Sequence, residues 1–283
     1  MRSARLELAL TSGAVTLPVT GDIVILRPRA GDDLTMLPKD RVVVLTGFKP
    51  DHDYFAAQGY RMVSAAPAAM AMVCLPRGRV EARALLALAA SLLAPAGQII
   101  VDGQKTDGVD SALKDCRALG LNVGEPVAKA HGKLALVCPG AALANWTAQA
   151  GVIADGFTTL PGVFSADAPD RGSVLLAAAL PVKLPARVAD LGAGWGYLAR
   201  AILARDGVKE LDLVEAESAA LDCARLNISD ARARFHWADA TQFRPAKLWD
   251  VVVMNPPFHT TRDADPGLGI AFIKAAQRGL TPS

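Results

Sequence analysis

Asn255-Pro256-Pro257-Phe258 puts an amide, a proline-fixed carbonyl and an aromatic ring into four residues. It follows Asp250 and the β-branched run Val251–Met254, which reads as a short, fully buried strand. The two prolines stop that strand, because neither can donate to a sheet ladder. Asn255 therefore stands at the strand's carboxyl end, its amide over the sheet edge where open α/β sheets bind ligands. Phe258, on a loop with little sheet left to cover it, offers a face for stacking. The plain alternative is a proline-rich turn that only ends a strand.

Three more polar segments fall at strand ends. Asp190-Leu191-Gly192-Ala193-Gly194-Trp195-Gly196 closes the strand Arg187–Leu191 and opens a helix at Tyr197. Glycines let such a turn tighten and let backbone approach a ligand at a helix N-terminus. The dinucleotide fingerprint G-x-G-x-x-G fails, because the sixth position from Gly192 is Tyr197. An acid two residues before the first glycine suits S-adenosylmethionine (SAM) better. That molecule has no pyrophosphate for a helix dipole to hold, and its ammonium needs an acidic or carbonyl neighbour. Glu215 ends the next strand, Glu210–Glu215, where an acid can accept both ribose hydroxyls. Asp239, after the strand Arg234–Trp237, can accept from an adenine amino group, though Asp also starts ordinary turns.

The chain has 283 residues, 52% hydrophobic and 20% charged, enough for two globular domains of roughly 150 residues each. A net charge of +2 gives no bulk footprint for nucleic acid, so any RNA contact must be a local patch. Lys105, Arg77, Arg79 and Arg83 could form one, or could be solvated surface. Cys74, Cys116, Cys138 and Cys223 contain no C-x-x-C pair, and His52, His131 and His236 show no ligand spacing. No disulfide framework and no metal are expected, and a reducing, cytoplasmic location is. Glu7 comes too early for a signal peptide, and the apolar run Ala84–Ala96 is too short to span a membrane.

Both halves alternate strand-like and helix-like segments. In the first, strands read at Arg41–Leu45, Ala68–Leu75, Gln98–Val101 (with Asp102-Gly103 as its turn) and Leu134–Cys138. Helices read around Tyr54–Gly59, Val80–Leu93 and Ser111–Leu119. In the second, helices read at Tyr197–Arg205, Ser218–Asn227 and about Leu268–Gly279 between the strands already named. Such alternation implies a mostly parallel, doubly wound sheet in each half. The halves also match weakly: Ala71–Pro76 aligns with Val252–Pro257, and Thr46–Lys49 stands where the second half has its glycine loop. The first copy would lack the Asn and one Pro. The repeat calls for a further strand after Ser283, so the second domain is expected to be truncated.

Asp190–Gly196, Glu215, Asp239 and Asn255–Phe258 together resemble the successive motifs of class I SAM-dependent methyltransferases that act on amino groups. Leu160–Ser165, then Asp170-Arg171-Gly172-Ser173 and its apolar continuation, together with His259, narrow the likeness. They are similar to bacterial small-subunit (16S) ribosomal RNA guanine-N2-methyltransferases, whose chains carry a degenerate N-terminal copy of the fold. The specific motifs cover Thr159–His259; the first half matches only in rhythm and a few loop residues. The resemblance implies an α/β protein of two tandem Rossmann-like domains, 1–148 degenerate and 149–283 catalytic. It implies SAM held by Asp190, Gly192, Gly194, Gly196, Glu215 and Asp239. Asn255, Pro256 and Phe258 would be catalytic, and Pro257, Phe258 and His259 would face the substrate. The implied partner is ribosomal RNA or the 30S subunit, with the protein a monomer. Adenine-N6 and protein-glutamine methyltransferases share the Asn-Pro-Pro motif, and a non-catalytic RNA- or SAM-binding scaffold is the remaining class.

Overall fold

The structure, a computed structural model, describes residues 2–63, 67–257 and 266–282. Two compact units divide the chain, Met1–Gln149 and Ala150–Ser283.

The first unit runs α1 (Arg2–Thr11), β1 (Ile23–Leu26), β2 (Val42–Leu45), α2 (Lys49–Ala57), β3 (Ala68–Cys74), α3 (Arg79–Leu92), β4 (Leu93–Gln104), α4 (Val109–Ala118), β5 (Val127–Lys129) and β6 (Gly132–Val137). Its sheet has the order β2-β1-β3-β4-β6-β5. The first four strands are parallel and the last two antiparallel, so the sheet is mixed. The antiparallel hairpin escapes sequence reading because its two-residue turn is Ala130-His131, both at positive φ, rather than Asn-Gly. β1 also escapes it, although all four of its residues are buried.

Asp102-Gly103, expected to turn, instead continues β4, with Gly103 opposite Lys133 of β6. The reason is electrostatic. Asp102 is fully buried, and Arg5 of α1 donates to it from Nε at 2.6 Å and from Nη2 at 3.0 Å. Arg2 donates from Nη1 to the same carboxylate and from Nε to Asp32. The carboxylate that would favour a solvated turn is thus neutralised inside the sheet, and α1 is tied to β4. Of the candidate basic patch, Arg79 and Arg83 both close on Asp115.

The second unit opens with a short ribbon, β7 (Gly151–Val152) and β8 (Thr158–Thr159), then α5 (Arg171–Ala179). There follow β9 (Arg187–Leu191), α6 (Tyr197–Leu203), β10 (Glu210–Glu215), α7 (Ser218–Asn227), β11 (Ala233–Trp237), β12 (Val251–Met254) and α8 (Pro266–Gly279). All four strands of the order β11-β10-β9-β12 are parallel. Val188, Leu211, Leu213 and Val253 pack on Leu198, Ala199 and Ile202 of α6 and Ala224 of α7. Ala189, Leu191 and Val214 pack on Phe272 and Ala276 of α8. Helices therefore cover both faces. His236, which has no ligand spacing, donates from Nε2 at 2.8 Å to buried Asp212, which also accepts from Arg234 and Trp249. Burial opposes ionisation of Asp212, but those hydrogen bonds outweigh it and hold the carboxyl down at about 2.

The chain moves outward from β9 to β10 and β11, then returns to lay β12 against the other side of β9. Such a reversal opens a crevice at the carboxyl ends of the two central strands. Register places Met254 beside Leu191, so Asn255 and Gly192 leave the sheet as neighbours. At the opposite end Arg187 clamps Asp250, with Nη2 2.7 Å from Oδ1. The first sheet reverses in the same way between β1 and β3. The loop at that corner is Arg27–Gly31 after β1, so Thr46–Lys49, which follows β2, does not occupy the glycine loop's place. Among the described residues no helix is long and apolar enough to cross a membrane.

The Arg2–Arg5–Asp102 cluster makes a direct prediction. Asp102→Ala leaves the buried Arg5 guanidinium without a carboxylate and Arg2 with Asp32 alone, and should lower unfolding stability by about 3–5 kcal/mol, read from urea denaturation of the full chain.

Candidate active site

Gly192 (φ 76°) and Gly196 (φ 93°) turn the chain from β9 into α6 through the left-handed region, which explains glycine at both. A Cβ at Gly196 would also sit 3.2 Å from Ile228, whereas one at Gly194 would meet nothing within 4 Å. The Gly194 N–H instead donates to Glu215 Oε2 at 2.8 Å, while Oε1 accepts from the Glu217 N–H at 2.8 Å. Glu215 thus ties the glycine loop to the end of β10, and each oxygen keeps a lone pair for a further donor. Burial raises its pKa, and those N–H groups offset part of the rise.

The loop is braced from below and behind. Buried Trp195 donates from Nε1 to the Phe164 carbonyl at 2.9 Å and packs edge-on against Phe157. Asn227 at the end of α7 donates to the carbonyls of Trp195 and Thr158 and accepts from the Thr158 N–H. Sequence reading missed Asn227, whose signal is a polar residue ending an apolar helix.

Asp190, one residue inside β9, is fully buried, and among the described residues neither carboxylate oxygen has a donor in good hydrogen-bond geometry. Burial and then the charge of Glu215 push its pKa up to about 7, with the Ala199 backbone offsetting part of the shift. A buried acid without a partner beneath a glycine loop is the feature a cationic ligand group would relieve. Loop, Glu215 and Asp190 together fit a ligand with hydroxyls at one end and a positive charge at the other.

Asn255 stands across the crevice. Its Nδ2 donates to Asp170 Oδ2 at 2.8 Å and to Ser173 Oγ at 2.9 Å. Asp170 caps α5, accepting from the Ser173 N–H at 3.0 Å. Phe164, Ser165, Asp170, Ser173, Gly192–Trp195, Tyr197, Leu198 and Asn255 line a cavity of about 410 Å³ that opens to solvent. Phe164 is 70% exposed beside it, an aromatic to which sequence reading gave no role. The structure therefore gathers Gly192, Gly194 and Asn255 at one cavity, with Gly196 in the same loop, Glu215 bonded to it and Asp190 in the strand that leads into it. Asp239 does not line that cavity; its Oδ1 accepts from the Thr241 N–H and hydroxyl, a local turn. Pro256 is half-buried and Pro257 exposed. Phe258 and His259 lie outside the described residues.

The family model of the methyltransferase small domain matches residues 155–283. Over that span the second unit is similar to the family. Similar curated proteins are named ribosomal RNA small subunit methyltransferase C. That of Psychromonas ingrahamii is 27% identical, over 74% of this chain and 63% of its own length. That of Alteromonas mediterranea is 28% identical, over 74% of this chain and 61% of its own. The chain thus spans about three-fifths of these relatives. Among solved structures, the T. thermophilus 16S rRNA N2 G1207 methyltransferase, in complex with AdoMet and guanosine, superposes with a TM-score of 0.73. It shares 24% identity and the match covers 94% of this chain and 79% of that one, which shows a common fold.

Asp190 gives this site a pH signature. Its ordinary pKa is about 3.9 in an unfolded chain, so between about pH 4 and 7 the folded state holds the extra proton. Raising pH through that window removes stability. Asp190→Asn should match the wild type in melting temperature below about pH 4, gain on it steadily up to about pH 7 and hold that margin at pH 8, followed by thermal unfolding of the ligand-free protein.

Proposed function

We propose that this protein transfers the methyl group of SAM to the exocyclic N2 amine of a guanine in small-subunit ribosomal RNA. The observation that carries the proposal is the setting of Asn255. Its amide stands at the β9/β12 reversal beside the glycine loop, with both Nδ2 hydrogens engaged and Oδ1 left to accept from a substrate amine. The names of the relatives, and the AdoMet and guanosine bound to the T. thermophilus neighbour, support this choice of cofactor and base.

An exocyclic amine is a poor nucleophile because its lone pair is delocalised into the ring. Hydrogen bonds from that NH2 to Asn255 Oδ1 and to the Pro256 carbonyl favour a pyramidal nitrogen and aim its lone pair. Orientation and fixed dipoles supply the acceleration. SAM, when bound, supplies an electrophilic methyl group on a sulfonium. The glycine loop and Glu215 would hold its nucleoside end, Asp190 would face its ammonium, and Asp239 would offer its remaining oxygen to the adenine. Phe258 would stack on the unstacked base, with Pro257 and His259 beside it. No strong general base is needed, since the methylated amine is acidic enough to lose its proton to water.

In this reading 149–283 is the catalytic domain and 1–148 a degenerate copy that holds RNA or supports its partner, in a cytoplasmic monomer acting on rRNA or the 30S subunit. The shared reversal of strand order supports the copy. At the corresponding corner the first unit has Cys74-Leu75-Pro76, and an ion pair between Arg27 and Glu81 (2.6 Å).

Tritiated SAM with 30S subunits, naked 16S rRNA and a protein release factor distinguishes the amine acceptors. Asn255→Ala should lower kcat on RNA by on the order of 10²–10³ with SAM affinity by calorimetry nearly unchanged. Glu215→Ala should instead weaken SAM binding. Unchanged methylation by Asn255→Ala, or label in adenine or protein, would overturn the proposal.

A further inference from the structure

We infer that Asp170 and Ser173 are positioning residues that set which way the Asn255 amide faces, and thereby make the site specific for an N–H donor. The inference rests on the reading that Asn255 contacts the substrate amine. An amide has two ends of similar shape, and nothing in Asn itself decides which is presented to a ligand. Here a carboxylate decides it. An ionised Asp170 can only accept, so the end of Asn255 turned toward it must be the NH2. Ser173 Oγ takes the second hydrogen. With both donors used, Oδ1 is the one polar atom of that side chain left for the crevice.

The same geometry accounts for Asp170, Gly172 and Ser173 of the Asp170-Arg171-Gly172-Ser173 element. Asp170 Oδ2 both caps α5 and accepts from Asn255, so the helix end fixes the carboxylate that fixes the amide. Gly172 leaves the pair room. A Cβ there would sit tightly, 3.0 Å from Asp170 Oδ2, and in ordinary contact, 3.4 Å, with Asn255 Oδ1. Ser173 is the first residue of α5 whose side chain reaches the amide.

One consequence separates this role from simple attachment of α5 to β12. Asn255→Asp would set two carboxylates against each other and lose the hydrogen bond, although the new side chain still carries an outward acceptor. Adding Asp170→Asn reverses the donor. Because one oxygen of Asp170 serves both the cap and the amide, the amide introduced on α5 turns about χ2 and gives up the cap to donate its NH2 to the carboxylate introduced after β12, while the Ser173 hydroxyl rotates to donate as well. An acceptor then faces the substrate again.

The test measures methyl transfer to 16S rRNA and 30S subunits by the full chain. Asn255→Asp should lose on the order of 100-fold in kcat while the KM for SAM hardly moves. The pair Asp170→Asn with Asn255→Asp should recover at least about tenfold of that loss. Ser173→Ala, which keeps the helix cap, should cost about fivefold in kcat alone, the effect of one hydrogen bond. A double variant no faster than Asn255→Asp would refute the inference, as would a Ser173→Ala enzyme with unchanged kcat. If the wild type methylates no guanine, the proposed function falls, and side-chain NMR still decides the orientation. Both Asn255 amide protons should exchange slowly in the wild type and one faster in Ser173→Ala. Free exchange of both in the wild type would overturn the positioning role.

Discussion

The pairing of β12 with β9 is the constraint from which the site follows. These strands are distant in the chain, yet their register sets Leu191 beside Met254, so a glycine loop and an amide leave the sheet side by side. Glu215 comes from β10, the strand on the other side of β9, and reaches back to Gly194. The loop, the acid and the amide therefore lie on β9 or one strand from it. Because side chains alternate across a strand, a slip of β12 by one residue would put Val253 on the face opposite Asp190 and separate the loop from the amide. The Arg187–Asp250 clamp at the far end resists such a slip.

Three buried acids show how differently the molecule treats the same group. Asp102 is matched by two guanidinium groups and serves to fasten a helix to a sheet. Asp212 is held ionised by Arg234, His236 and Trp249, which outweigh its burial. Asp190 has no such company among the described residues and sits in the strand that leads into the glycine loop. Those two structural acids are paired; the acid of the site is not. That contrast, more than burial alone, marks Asp190 as a residue kept for something other than stability.

Much of this was legible in the chain because the second unit's signals are local. Arg187–Leu191, Glu210–Glu215, Ser218–Asn227 and Val251–Met254 are strands or helices with the bounds their hydrophobic runs imply. The glycine loop announced itself because φ above zero demands glycine. What stayed hidden depended on distant partners. Asp102-Gly103 has turn chemistry until Arg2 and Arg5, nearly a hundred positions away, neutralise it. The β5–β6 hairpin turns on Ala130-His131, residues that carry no turn signal. Asp170 and Ser173 form part of a motif that could be recognised, but their hold on Asn255 exists only once α5 lies against the end of β12.

The Arg187–Asp250 clamp joins positions 63 apart. On the ribosome β9, α6, β10 and α7 emerge first, and the side of β9 that will receive β12 stays an open edge until that later segment arrives. Closing so long a loop is slow relative to forming the local β9–β10 pairing. The crevice is consequently among the last parts of this unit to form, and a nascent chain can own a finished glycine loop before it owns the amide opposite. Any factor that shields a parallel edge during synthesis would act on the birth of the active site rather than on its upkeep.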